Sequence, residues 1–245
     1  MTYRCQLAKG RRGAREAAQR GDVIVVVDTL SFSTSAITAV HNGGIVFPCA
    51  KDEDPTAFAK RVNAEAAVGR PDVPQQGRFS LSPHTYFNIE PNTRIVLASP
   101  NGATCSRYAR DVPTLIVGTL INARAAAKAL THIINTTDHA ISLLSCGERW
   151  PDPDEDGPLR WALEDDLGVG AILSYLSCDK SPEARACEGT FLHLRDELST
   201  SLTNCPSGRE LCDRKFSKDV THAAHLNWCD TVPVMRDERL ERLVF

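Results

Sequence analysis

Four short polar segments each follow an apolar, strand-like stretch of this chain, and they carry the residues best suited to chemistry. The segments are 28–35, 99–104, 118–122 and 145–149, and they supply an aspartate, an asparagine–glycine pair, several hydroxyls and an arginine. In a parallel or mostly parallel sheet, the turns that follow the strands lie along one edge, where α/β proteins bind ligands. Helix N-termini at such an edge favour anions. We therefore predict an anion-binding site built from these segments.

Hydroxyls and an Asn-Gly pair are the polar groups of the first two segments. Ser33 and Thr34 stand at the predicted start of a helix, where hydroxyls and unpaired N–H groups would hold an oxyanion. An ordinary helix N-cap explains any one of them equally well. Asn101 and Gly102 allow a sharp turn and a close approach to a ligand, although the same pair is common in plain turns. The recurrence of such turns favours the ligand site.

Carboxylates provide a second kind of chemistry. Asp28 ends a predicted buried strand and would direct its carboxylate into the same crevice, or bond a neighbouring turn. Glu164 and Asp165 stand near the start of a later helix, where they would complement the helix dipole by about 0.3–1 kcal/mol each. Gly168 and Ala171 share the face of Glu164 and would leave room beside it for a ligand. Oxygen ligands of this kind select Mg²⁺, which takes one or two carboxylates plus phosphate.

Three other chemistries are not favoured. Only two residues separate Cys146 from Arg149, too few to wrap a phosphate around a nucleophilic thiol, so Cys146 is predicted to be a turn thiol. The glycines near 168 lack the third glycine and the preceding strand of a dinucleotide-binding motif, and no phosphate-binding P-loop motif occurs. His222 and His225 have helical spacing but no third ligand nearby in sequence, which argues against a zinc site.

Composition excludes several classes of protein. The chain has 245 residues, 42% of them hydrophobic and 24% charged, which is typical of a soluble globular protein. A net charge of -3, 6% aromatic residues and no basic stripe argue against a nucleic-acid partner. The longest aliphatic run, 23–27, is far shorter than the roughly 20 residues of a membrane span. The basic N-terminal segment lacks the features of a signal peptide, so we expect a cytoplasmic protein. The odd number of cysteines, nine, predicts buried thiols rather than disulfides. A homodimer is left open.

Strand and helix signals alternate along the chain. Strands are predicted at 23–28, 45–49, 94–99, 115–117 and 140–145. Helices are predicted at 33–41, from Asp52 or Asp54 to 68, and at 104–109, 123–135 and 160–176. Residues 69–92 are predicted to be largely loop, 149–160 an acidic loop without regular structure, and the last 65 residues mostly helical with a strand at 231–235. This order predicts one α/β domain, 1–245, with a mostly parallel or mixed sheet covered on both faces.

The order of the motifs resembles that of a known family. The segments concerned are 25–35, 99–103, 118–123, 146–147, 163–165, 219–220 and 232–234. Together they resemble the 2-phosphosulfolactate phosphatase family over nearly the whole chain; each motif is short, but their order and spacing are specific. The resemblance implies a three-layer α/β/α fold with a mixed sheet. It also implies Mg²⁺-dependent hydrolysis of 2-phospho-3-sulfolactate to 3-sulfolactate and phosphate, in the route to coenzyme M.

The resemblance also implies roles for individual residues. Catalytic and metal-binding roles fall on Asp28, Glu164 and Asp165. Substrate-binding roles fall on Ser33, Thr34, Asn101, Gly102, Asn122, Cys146 and Gly147. Arg149 is added to this set from its place in the polar segment 145–149. One position departs from the family, which usually has arginine where this chain has Ser31. A guanidinium is the natural clamp for a phosphate or sulfonate, and Arg149 or Arg78 is the candidate to supply it.

The predicted mechanism is direct hydrolysis, in which a carboxylate orients the attacking water. Which acid is metal ligand and which is base is left open, as is a phospho-aspartyl intermediate on Asp28. Two alternative functions remain for a site that takes a small phosphorylated or sulfonated acid. One is a non-catalytic protein that binds a small anion. The other is a hydrolase or lyase that acts on a different phosphorylated or sulfonated acid.

Overall fold

Strands and helices alternate through most of the computed structural model, which describes residues 3–152 and 157–244. The strands are β1 (Cys5–Lys9), β2 (Val23–Val27), β3 (Ile45–Cys49), β4 (Glu65–Ala66), β5 (Arg94–Ala98), β6 (Leu115–Val117), β7 (Ile141–Ser145), β8 (Glu148–Arg149), β9 (Leu159–Arg160), β10 (Pro233–Arg236) and β11 (Arg239–Arg242). The helices are α1 (Gly10–Gln19), α2 (Phe32–His41), α3 (Pro55–Val62), α4 (Gly102–Tyr108), α5 (Ala123–Thr136), α6 (Leu163–Leu173), α7 (Pro182–Leu194), α8 (Leu198–Asn204), α9 (Pro206–Asp213) and α10 (Ser217–Ala223).

Nine of these strands form one sheet in the order β1-β7-β2-β6-β10-β11-β3-β5-β4. The sheet is mixed, as the sequence predicts. Strands β1, β7, β2 and β6 are parallel to one another, and so are β3, β5 and β4. The two parallel groups are joined by the antiparallel strands β10 and β11. Strands β8 and β9 form a separate antiparallel pair. The C-terminal hairpin therefore completes the middle of the sheet.

Strand β2 shows how both faces of the sheet are covered. Val23, Val25 and Val27 join a core formed with α5, α6 and α7. Ile24 and Val26 point to the opposite face and join a core formed with α1, α2 and α4. All five side chains are buried, as expected for a parallel strand between two layers of helix. The layers form the expected three-layer α/β/α arrangement.

Helix α2 lies inside a strongly curled sheet. Every residue from Phe32 to Val40 is buried, and the helix packs against β3, β6, β10 and β11. In the sheet order, β5 stands five places from β2, which in a flat sheet would be about 24 Å. Yet the Gly102 N–H, just after β5, donates to Asp28 Oδ2, just after β2, at 2.6 Å. The sheet therefore wraps around α2 and brings two polar turns into contact.

Most predicted elements are confirmed, and the differences have local causes. Asp54 caps α3 as predicted, accepting from the N–H groups of Thr56 and Ala57. The predicted end of this helix at 68 is wrong. Asn63 adopts a left-handed conformation with φ 49° and ends the helix there. Helix α6 begins at Leu163 rather than at 160, since β9 occupies the preceding residues.

Other differences concern short strands. Neither β1 nor α1 was predicted, and β11 was missed beside the predicted strand that corresponds to β10. The prediction that 149–160 lacks regular structure is wrong at both ends of that segment, which pair as β8 and β9. Residues 153–156 of this loop lie outside the described residues. All nine cysteines lie in the described part of the chain, and none of them forms a disulfide, as predicted. Among the helices of the described residues, none is both long and apolar enough to cross a membrane.

Gly168 brings α6 close to the turns that follow β2 and β6. A Cβ atom at this position would meet Val27 Cγ1 at 2.7 Å, Thr29 Oγ1 at 2.9 Å and Thr119 Oγ1 at 3.1 Å. The prediction that Gly168 leaves room for a ligand beside Glu164 is therefore wrong, because protein side chains fill that space. The glycine is required for close packing of the helix on the sheet edge.

This packing predicts opposite effects for two glycine substitutions. Gly168→Ala should lower the free energy of unfolding by about 1 to 2 kcal/mol, because overpacking outweighs the better helix propensity of alanine. Gly189→Ala is the matched control in the exposed face of α7, where a new Cβ meets nothing within 4 Å. It should raise the free energy of unfolding by up to about 1 kcal/mol. Urea denaturation measures both; effects of the same sign would contradict this account.

Candidate active site

A polar cavity of about 220 Å³ lies where the turns after β2 and β5 meet β8 and the start of α9. Larger cavities of about 450 and 480 Å³ lie elsewhere, but neither is lined by more than one acidic residue. The polar lining of the 220 Å³ cavity comprises Asp28, Ser31, Arg70, Ser99, Asn101, Glu148, Ser207, Glu210 and Arg214. We refer to this candidate active site as the catalytic cavity.

Asp28 is fixed in this wall by three donors. Its Oδ2 accepts from the Gly102 N–H at 2.6 Å and from Ser99 Oγ at 3.4 Å, and its Oδ1 accepts from the Phe32 N–H at 3.3 Å. Gly102 has no room for a side chain, because a Cβ atom would lie 2.7 Å from Asp28 Oδ2. Burial, and to a smaller extent the charge of Glu164, raises the pKa of Asp28 to about 6 despite these hydrogen bonds.

Asp165 connects two turns through its carboxylate. Its Oδ1 accepts from the Thr29 N–H at 2.7 Å, and its Oδ2 accepts from the Gly147 N–H at 2.8 Å. These bonds tie the turn after β2 to the turn after β7. Burial, followed by the charges of Asp28 and Glu164, raises the pKa of Asp165 well above its usual range. The contacts assign Asp165 a clamping role at the sheet edge.

Glu164 is the acid with spare coordinating capacity. Its side chain is buried, and among the described residues its Oε2 has no hydrogen-bond partner. The charge of Glu164 raises the pKa of both Asp28 and Asp165, so the three acids lie close together. A buried carboxylate oxygen without a donor is costly unless a cation or another donor meets it.

Glu148, on β8, is a site residue that sequence reasoning missed. Its Oε1 accepts a hydrogen bond from Asn101 Nδ2, and its side chain lines the catalytic cavity. Burial, then the charge of Asp28, raises the pKa of Glu148 to about 7, with Glu164 adding to the rise and Arg160 opposing it. The signal was present, because Glu148 stands inside the polar segment 145–149 between two residues that were singled out.

Arg149, a candidate to replace the missing family arginine, contacts a residue of this site but lines a separate cavity. Its Nε donates to Asn101 Oδ1 at 3.2 Å, and its Nη2 is buried without a partner among the described residues. Burial, followed by the nearby charge of Arg11, lowers the pKa of Arg149. Arg149 therefore carries an N–H group that an anion could accept.

A second guanidinium stands beside Ser31, the position where the family usually has arginine. Arg70 donates from Nη2 to Ser31 Oγ at 2.7 Å, and from Nε to Asp219 Oδ2 at 2.9 Å. Arg70 belongs to the predicted loop 69–92, so a distant segment restores the cation. Arg78, the other sequence candidate, is exposed and pairs with Glu65 instead.

The predicted hydroxyls after β2 are engaged with the backbone. Ser33 Oγ donates to the Val26 carbonyl at 3.1 Å and accepts from the Asp28 N–H at 2.9 Å. Thr34 Oγ1 donates to the Thr29 carbonyl at 2.8 Å. These bonds hold the turn that presents Asp28. A direct contact of Ser33 or Thr34 with substrate stays a prediction.

Asn122 and Cys146 also lie behind the cavity wall. Asn122 is fully buried; it accepts from the Thr119 N–H and donates to the Thr231 carbonyl, both at 2.9 Å. The Cys146 thiol is buried against the Leu144 carbonyl, and burial raises its pKa well above its usual range. Of the predicted site residues, Asp28 and Asn101 line the cavity. Gly102 bonds to Asp28, Arg149 bonds to Asn101, and Gly147 bonds to Asp165, so these residues lie next to the lining rather than in it, while Asn122 is also outside it.

The donor set can be tested for its fit to Mg²⁺. In the part of the chain that the structure describes, no three His, Cys, Asp or Glu side chains form a metal-binding group by themselves. Mg²⁺ usually takes only one or two protein carboxylates and completes its shell with water and substrate phosphate. Asp28 provides a buried oxygen at the cavity, and Glu164 provides one without a partner. These two carboxylates fit an ion that is shared with a phosphate.

Comparison with known proteins places the chain in a family. The sequence model described as 2-phosphosulpholactate phosphatase matches residues 11–238. A "Probable 2-phosphosulfolactate phosphatase" of Carboxydothermus hydrogenoformans is 27% identical over 215 residues, which cover 86% of this chain and 84% of the relative. A protein of the same name from Pseudothermotoga lettingae is 26% identical over 231 residues, which cover 91% and 94% of the two chains. Because the family match extends over nearly the whole chain and includes every segment of the site, the chain belongs to the 2-phosphosulpholactate phosphatase family.

Proposed function

We propose that this protein is a Mg²⁺-dependent phosphatase that hydrolyses 2-phospho-3-sulfolactate to 3-sulfolactate and inorganic phosphate. Its curated relatives carry the name of that activity, and the family consists of phosphoric monoester hydrolases. One observation carries the proposal for this chain. The carboxylates of Asp28 and Glu148 and the guanidinium groups of Arg70 and Arg214 line one cavity of about 220 Å³, which supplies both the acids and the cations that a small polyanionic ester requires.

The substrate has three anionic groups, a phosphate, a sulfonate and a carboxylate, and the cavity offers cations for them. Arg70 and Arg214 line the cavity, and Arg70 lies beside Ser31. Arg149 stays a predicted substrate-binding residue, although it lines a different cavity. Guanidinium groups bind such oxyanions through paired hydrogen bonds. Asp219 accepts from Arg70 and so fixes the direction in which the guanidinium points.

Mg²⁺ would be held by Asp28 and Glu164, and when bound it would neutralise charge on the phosphoryl oxygens. Asp165 stays a predicted ligand, although both of its oxygens already accept backbone N–H groups. Relief of the repulsion among these acids is a reason for the site to bind a divalent cation, since their mutual charge raises the pKa values of Asp28 and Asp165.

Glu148 is suited to act as the general base. With a pKa of about 7 it is partly ionised near neutral pH, and the Asn101 amide orients its carboxylate at the cavity wall. In the proposed step Glu148 accepts a proton from a water molecule whose oxygen attacks phosphorus. The bond between phosphorus and the C2 oxygen of sulfolactate breaks, and that oxygen takes up a proton from solvent.

A small-anion binding protein is the second candidate, favoured by the unpartnered N–H group of Arg149. The third candidate is a hydrolase or lyase for another phosphorylated or sulfonated acid, whose anionic groups would bind the same cations of the cavity. A role in the route to coenzyme M, a cytoplasmic location and a homodimer stay predictions.

Phosphate release separates these candidates. With Mg²⁺, kcat/KM should be at least about tenfold higher for 2-phospho-3-sulfolactate than for 2-phospholactate, because the latter lacks the sulfonate that a guanidinium would bind. EDTA should abolish the activity. Calorimetric binding of the sulfonated ester without phosphate release would establish a binding protein, and undiminished turnover after rigorous chelation would refute the metal requirement.

Substitutions of the two neighbouring acids should separate catalysis from stability. Glu164→Gln should lower kcat/KM by a factor of about 100 or more and remove the rise in Tm that Mg²⁺ produces, with no loss of metal-free stability. Asp165→Asn should lower the free energy of unfolding by about 1–3 kcal/mol, because an amide cannot accept from both backbone N–H groups. Glu90→Gln, at an exposed position, is the control. Wild-type kinetics for Glu164→Gln would refute its role as metal ligand.

The raised pKa of Glu148 predicts a pH dependence of stability. Because its pKa is about 7 in the folded protein and 4.5 in the reference state, the folded protein binds this proton more tightly. Its contribution is therefore complete below about pH 4.5 and is lost as the pH rises through about 7. In EDTA, wild-type Tm should fall over this range more steeply than that of Glu148→Gln. A steeper fall in the variant would contradict the assignment.

A further inference from the structure

A second cavity, of about 480 Å³, lies beside the catalytic cavity and has a strongly basic lining. It is formed by the start of α1, by α4 and by the β8–β9 hairpin, and it shares no lining residue with the catalytic cavity. Its charged lining residues are all cations, namely Lys9, Arg11, Arg12, Arg15, Lys51 and Arg149. We refer to it as the basic cavity. Six cations around one cavity are unexpected in a chain whose net charge is -3.

Acidic side chains neutralise only two of these cations. Lys9 pairs with Asp166 at 2.8 Å, and Arg12 pairs with Glu16 at 2.6 Å. Across the described residues, no carboxylate lies within ion-pair distance of the other four cations, Arg11, Arg15, Lys51 and Arg149. Among residues 3–152 and 157–244, the basic cavity therefore concentrates positive charge without matching carboxylates.

Two features indicate that a bound anion would reduce the repulsion among these cations. Arg149 Nη2 is buried without a partner, and the nearby charge of Arg11 helps to lower the Arg149 pKa. Helix α1 has no acidic residue in its first turn and begins with Arg11 and Arg12, where the positive end of the helix dipole opposes them. Both features are unfavourable in the unliganded protein and become favourable next to negative charge.

We propose that the basic cavity binds an organic anion with two or more phosphate groups. A single phosphate would not fill about 480 Å³ or reach all four cations that lack a carboxylate partner among the described residues. Tyr108, Pro158 and Leu159 form a less polar wall against which the organic part of the ligand would pack. The phosphate groups would contact Arg11, Arg15 and Lys51, and an N–H group of Arg149 would complete the site.

Calorimetry with metal-free protein tests the proposal, using inorganic pyrophosphate and ADP as probes. Both probes should bind, ADP more tightly because its nucleoside meets the less polar wall. Arg15→Ala and Lys51→Ala should each weaken binding by about tenfold, and added salt should weaken it further. Lys51 is exposed and forms no ion pair with the described residues, so its substitution keeps the test valid if Arg15→Ala fails to fold.

Two control variants locate the bound probe. Lys128→Ala removes an exposed cation from a different surface and should leave the affinity unchanged. Arg70→Ala removes a cation that lines the catalytic cavity and not the basic cavity, and it should also leave the affinity unchanged. The proposal is overturned if neither probe binds at millimolar concentration, or if binding survives Arg15→Ala and Lys51→Ala but is lost in Arg70→Ala. Because binding is measured rather than turnover, the result stands whether or not phosphoester hydrolysis is found.

Discussion

The hydrogen bond from the Gly102 N–H to the Asp28 carboxylate is the contact on which the site depends. It joins turns that follow strands β2 and β5, which are five places apart in the sheet order. The bond forms only because the sheet curls around the buried helix α2, and because residue 102 has no side chain. Without that curvature, Ser99 and Asn101 would lie far from Asp28, and the cavity between them would not exist. One hydrogen bond between a backbone N–H group and a carboxylate thus links the curvature of the sheet to the geometry of the site.

The acids of the site are buried close to one another, which by itself destabilises the fold. Asp28, Glu164 and Asp165 are buried together, and their charges raise the pKa values of Asp28 and Asp165. Burial of like charges destabilises a protein unless hydrogen bonds or a cation compensate. Asp165 is compensated by two backbone N–H groups, whereas Glu164 keeps an oxygen without a partner. A bound cation would offset this repulsion and so recover the lost stability. Such a loss of stability in favour of function is common at functional sites.

Sequence reasoning located most of the strands and the edge of the sheet where the site lies, because apolar runs followed by polar turns are local signals. It failed where contacts between distant segments decide the structure. The hairpin of β10 and β11 inserts between β6 and β3 from the end of the chain, and no local pattern indicates that position. Gly168 is predicted to leave space for a ligand beside Glu164, but the side chains of Val27 and Thr29 fill that space. Arg70 lies 39 residues from Ser31, so its approach could not be read from spacing.

The Asn101-Gly102 pair has a consequence for the chemical ageing of the protein. In flexible chains such pairs cyclise when the glycine nitrogen attacks the asparagine side chain, and the ring then opens to aspartate or isoaspartate. Here the Gly102 nitrogen is bound to Asp28, while the Asn101 amide is held between Glu148 and Arg149. Neither reacting group is free to approach the other. The contacts that shape the cavity therefore also protect its most labile peptide from spontaneous damage, which would put a new negative charge directly beside Glu148.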